Sequence, residues 1–134
     1  MPSFTVENPS QMTNTSAYID LSNFRQQTGG DPQFVREVLE LIEAQSPLAL
    51  QQMQDHLAQQ DLPALGAAAH KLKSTIHVLG NPSWVEMLKT IEYRAKEASD
   101  PQGLDTLLRE WEAAYANMMR CIAAELVHLR QETA

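Results

Sequence analysis

The chain has 134 residues, a formal net charge of −7, 43% hydrophobic and 6% aromatic residues. That length suits one domain around one core, and the acidic balance argues against a nucleic-acid partner, because a phosphate backbone repels it. No apolar run approaches the roughly 20 residues needed to span a bilayer, the N-terminus has no apolar signal-peptide core, and a lone Cys121 has no intrachain disulfide partner, as fits a reducing cytoplasm.

Residues 1–17 are rich in Ser, Thr, Asn, Gln and Pro without periodicity, and read as a flexible polar tail ahead of a domain spanning 18–134. Met1, the tail and the ending at Ala134 read as a complete small protein, the alternative being an excised C-terminal module of a longer protein. A short helix is predicted from about Leu21 to Thr28, stopped by Gly29-Gly30, since glycine takes left-handed dihedrals at little cost. Asp31 then caps a second helix with Pro32 in its first turn. Its stripe is Val35, Val38, Ile42, Ala49 and Met53, it ends near Gln59, and Pro47 inside it is expected to bend it.

Asp61 caps a third helix, with Leu62, Leu65, Ala69, Leu72, Ile76 and Leu79 on one face and Gly80 as its stop. Ser83-Trp84-Val85-Glu86 reads as a capping box. The fourth helix then buries Trp84, Leu88, Ile91, Ala95 and Ala98. Asp100-Pro101 opens a last helix with Leu104, Leu108, Trp111, Tyr115, Met118, Ile122 and Leu129 inward. No stretch alternates as a half-buried strand must. Short connections between long amphipathic helices predict an all-α fold, an antiparallel up-and-down four-helix bundle with a short N-terminal covering helix.

One residue stands apart from this packing pattern. At 100° per residue, His70 lies roughly 140° from the centre of the third helix's apolar stripe, so it faces solvent or a bundle edge. Its neighbours at three and four positions are Gly66, Ala67, Lys73 and Ser74, three of them small. Glycine inside a helix costs about 1 kcal/mol against alanine, which suggests that bulk is unwanted beside His70. A neutral imidazole is a good nucleophile, histidine's ordinary pKa of about 6.5 leaves it mostly uncharged near neutrality, and a neighbouring ammonium attracts a phosphoryl group placed on it. His70 and His77 stand about 10 Å apart along the axis, too far to chelate one metal. No nucleophile-elbow turn accompanies Ser74, and no glycine-rich loop is present to hold ATP.

The run His70-Lys71-Leu72-Lys73-Ser74, with Gly80 ten residues after the histidine, resembles the His-x-Leu-Lys-Gly motif and second glycine of histidine-containing phosphotransfer (HPt) domains of two-component phosphorelays. Ile19-Asp20-Leu21 and Thr28 to Val35 resemble that family's entry helix and turn. The similarity covers about Tyr18 to Ala98; the last helix matches only in amphipathic character. The resemblance implies a phosphocarrier without kinase or ATPase activity, with His70 as phosphoacceptor relaying between aspartates of receiver domains. It implies Lys73 as the lysine that assists the phosphoryl group. It further implies no cofactor or metal of its own, Mg²⁺ being held by the receiver, and as partners response-regulator receiver domains and a hybrid sensor histidine kinase. Gly66, Ala67, Ser74 and His77 are the expected partner contacts. Ser74 stands where the family has glycine, and His77 where a small residue is usual. No heptad seam demands a dimer, so a monomer is expected. The competing readings are a receiver-binding adaptor that is never phosphorylated, and a purely structural bundle; were the chain an excised module, its parent would be a hybrid kinase.

Overall fold

The computed structural model describes residues 18–97 and 101–133. Among the described residues there are five α-helices: α1 Ser22–Thr28, α2 Pro32–Ala58, α3 Leu62–Ile76, α4 Pro82–Glu97 and α5 Pro101–Glu132, with a 3₁₀ turn His77–Leu79 after α3. No strand occurs among the described residues. The predicted polar tail, Ala98 and Asp100 lie outside them.

Local chemistry sets most helix ends. Gly29 and Gly30, at φ +83° and +77°, turn the chain out of α1. The Asp31 carboxylate accepts from the Gln33 amide at 3.1 Å and starts α2, and the Asp61 carboxylate accepts from the Ala64 amide at 3.2 Å and starts α3. Between them Gln60 takes the left-handed conformation at φ +56°, with its amide donating to the Leu57 carbonyl at 2.9 Å. α2 runs through Pro47 without a break.

Two ends depart from the sequence prediction. The capping box at Ser83 does not form; α4 opens with Pro82 in its first turn, and Asn81 supplies the cap, its side-chain oxygen accepting from the Trp84 amide at 3.2 Å. α3 does not run to Gly80 as one α-helix. It tightens into the 3₁₀ turn, and Gly80 at φ +70° reverses the chain. A Cβ on Gly80 would collide with the Asp20 carbonyl. The glycine admits the incoming segment, which is fastened by Asp20 N–H to Leu79 at 2.8 Å and by the Asn81 amide group to the Tyr18 carbonyl at 2.9 Å.

α3 packs on α2 and α4, and α5 packs on α2 and α4. Leu65, Ala69, Leu72 and Ile76 of α3 meet Trp84, Leu88 and Ile91 of α4 and Trp111, Met118 and Ile122 of α5 in one core. Full burial of such a side chain contributes about 1.5–3 kcal/mol, which makes both tryptophans packing residues. Leu39 and Leu126, not assigned inward from the sequence, are fully buried, whereas Val38, Ala49 and Tyr115 are only partly so. Along α2 and α5, Arg36 reaches Thr133 at 2.8 Å, Arg130 reaches Glu40 at 3.2 Å, and Gln54 reaches Glu112 at 2.8 Å. Arg36 also holds Glu40 at 3.2 Å, so one carboxylate fastens two guanidinium groups.

Candidate functional site

α3 presents His70 outward because its buried face is occupied by Leu65, Ala69, Leu72 and Ile76. The imidazole is 59% exposed. α4 supplies the group that defines its chemistry: Glu92, beside the buried Leu88, Ile91 and Ala95. His70 Nδ1 lies 2.9 Å from Glu92 Oε2, and Lys73 Nζ donates to Glu92 Oε1 at 2.9 Å. Lys96, one turn further along α4, brings its Nζ to 4.0 Å from Glu92 Oε2.

Glu92 is only 15% exposed. The Lys73 ammonium bonded to it, and secondarily the His70 ring, hold its carboxyl below the ordinary glutamate value against the opposing effect of burial. It is therefore ionised near neutrality and can only accept hydrogen bonds. Nδ1 must then carry a hydrogen, and in the neutral ring the lone pair sits on Nε2. The pairing with Glu92 selects the tautomer.

Gly66 lies where these two helices approach. It is buried, and a Cβ there would lie 3.4 Å from the Ala95 Cβ and 3.7 Å from the Glu92 carbonyl oxygen. The want of bulk inferred from the sequence thus has a packing cause: a side chain larger than alanine there would press on α4 beside Glu92. His70, Glu92 and Lys96 share an open hollow of ≈ 470 Å³ with Leu62, Gly66 and Ala67.

The other expected residues separate. Ala67 is exposed beside His70. Ser74 is exposed, but its hydroxyl donates back to the His70 carbonyl at 3.1 Å, a local bond common for serine inside helices. His77 is exposed on the 3₁₀ turn and lines a second hollow with Lys73, Ser74, Val85 and Lys89. Lys71 lies in a third, with Gln45, Ala49 and Thr75, between α2 and α3. Lys73 does belong to the His70 cluster, but its ammonium is engaged by Glu92 and is only 22% exposed. Sequence reasoning missed Glu92 and Lys96. Their i,i+4 spacing on α4 was visible, but which neighbouring helix faces His70 is a tertiary fact.

The sequence profile of the family described as Hpt domain matches residues 37–129. The chain belongs to that family. Its members are histidine phosphotransfer modules of two-component signalling, which interact with receiver domains and kinases and are not themselves kinases or ATPases. The matched region takes in most of α5, likened to the family only by its amphipathic character from the sequence, and begins beyond the entry helix and turn. Comparison with curated proteins and with solved structures returned no match. No helix among the described residues is long and apolar enough to cross a membrane.

Proposed function

We propose that this chain relays a phosphoryl group between aspartates of receiver domains through His70 Nε2. The observation that carries this reading is the pairing of the exposed His70 ring, through Nδ1, with a carboxylate held ionised by Lys73. The Nε2 lone pair attacks phosphorus of an aspartyl-phosphate on the receiver. The N–P bond forms as the bond from phosphorus to the aspartate oxygen breaks, and the aspartate leaves as carboxylate. Mg²⁺ on the receiver screens charge on the transferring group. The ring keeps its Nδ1 hydrogen and becomes cationic, and Glu92 stabilises that charge at 2.9 Å. Transfer onward reverses these steps with a second aspartate.

Lys73 holds Glu92 in place, and Lys96 supplies a second ammonium, 73% exposed, on the rim of the same hollow. The scaffold is read as an antiparallel four-helix bundle under a short covering helix. The pairings of residue 36 with 133, 40 with 130 and 54 with 112 support opposite directions for α2 and α5. Those of 66 with 95 and 70 with 92 support the same for α3 and α4.

The test is transfer of radiolabelled phosphate from phosphorylated receiver domains of the source organism to the purified chain. Acid-labile, base-stable label is expected, and His70→Gln is expected to lose it while keeping its helical circular-dichroism spectrum. Label retained in that variant would overturn the site. Equal receiver binding by both proteins with no label in either would instead support the adaptor reading.

A further inference from the structure

Positive charge is unevenly distributed in this acidic chain. All four lysines, Lys71, Lys73, Lys89 and Lys96, stand on α3 and α4, and α3 carries no carboxylate. Lys73, Ser74, His77, Val85 and Lys89 line an open hollow of ≈ 470 Å³ where α4 passes the end of α3. Two ammonium groups and an imidazole rim this hollow, and no carboxylate does. Lys73 is committed to Glu92. Lys89 and His77 are exposed and make no ion pair among the described residues.

We propose that this hollow is a docking subsite for carboxylate side chains of the partner protein, with Lys89 and His77 setting the strength of docking. His77 lies seven positions after His70, about 10 Å along the axis. The rim of the subsite at His77 therefore lies too far away to hold the group transferred at His70, yet the hollow, which Lys73 and Ser74 join to the His70 turn, falls well within the footprint of one protein interface, about 800 Å² a side. A hollow rimmed by ammonium groups and free of carboxylates complements carboxylate side chains that the partner brings beside His70. Such complementarity acts on encounter and register.

The identity of the partner rests on the phosphotransfer reading, but the two ideas fail separately. Binding of a receiver domain to the full chain is measured by calorimetry at 50 and 300 mM salt, for wild type, Lys89→Glu, His77→Glu, Lys89→Arg and, on α5, Arg109→Glu. At low salt the first two reversals are expected to raise Kd about tenfold, Lys89→Arg and Arg109→Glu to leave it within about twofold, and the wild-type advantage to shrink at high salt. Matching thermal melts check that each variant folds. Unchanged Kd in Lys89→Glu and His77→Glu, with His70 still labelled, overturns the subsite and leaves phosphotransfer standing.

If no receiver labels the chain, the phosphotransfer reading falls and an octa-aspartate peptide decides the subsite. Its titration into ¹⁵N-labelled protein is expected to move the amide signals of Ser74, His77 and Lys89 in wild type and not in Lys89→Glu. No movement, or equal movement with inorganic phosphate alone, overturns it.

Discussion

Among the described residues, two carboxylates each hold more than one basic side chain and bridge two helices, and they are built alike. Glu40 on α2 binds Arg36 and Arg130, both at 3.2 Å, and Glu92 on α4 binds Lys73 and His70, both at 2.9 Å. In each case a bonded cation, Arg36 or Lys73, holds the carboxyl below the ordinary glutamate value. The difference lies in the second partner. A guanidinium has only hydrogen-bond donors, so the Arg130 pairing closes a clamp. An imidazole held through one nitrogen keeps a lone pair on the other. The same electrostatic arrangement fastens one seam and leaves an exposed ring nitrogen on the other.

His70→Gln tests that contrast hardest. Loss of labelling to background is expected, with stability within about 0.5 kcal/mol of wild type because the ring is exposed, measured by phosphotransfer and denaturant titration. Glu92→Gln keeps the shape but removes the charge that stabilises the cationic ring. A fall of about 10²-fold in transfer rate is expected, read in single-turnover kinetics, and an undiminished rate would reduce Glu92 to the status of Glu40. Gly66→Val overpacks the α3–α4 seam and pushes Glu92 off. It is expected to cost about 1–3 kcal/mol and to slow transfer as well, whereas Gly66→Ala recovers about 1 kcal/mol of helix propensity against its tight contact and changes stability less. Arg130→Ala opens the other seam; exposed ion pairs contribute little, so a smaller shift in melting temperature and unaltered transfer are expected.

The acid limb of stability sharpens the comparison further. Both carboxyls titrate below the ordinary 4.5 when folded. Their contribution is complete above about that pH and is lost as pH falls through the lowered folded values. Melting temperature should therefore drop below pH 4.5, and Glu40→Gln or Glu92→Gln should each flatten the drop.

Much of this was legible in the chain. Apolar spacing marked the buried face of α3 residue by residue, and Gly29-Gly30, Asp31 and Asp61 announced their turns, because these effects act within a few positions. Asn81 was overlooked as a cap because Ser83 and Glu86 imitate a capping box. The importance of Leu39 and Leu126 depends on which arc of a long helix its neighbours cover. His70 showed itself as a polar residue off an apolar stripe, but Glu92, 22 residues downstream, became its partner only once α4 lay against α3.

The bond from His70 Nδ1 to Glu92 has a consequence for the product. With that nitrogen occupied, the proposed transfer is expected to yield only one of the two possible phosphoramidate regioisomers, and phosphorus NMR of the labelled protein should contain a single phosphohistidine resonance.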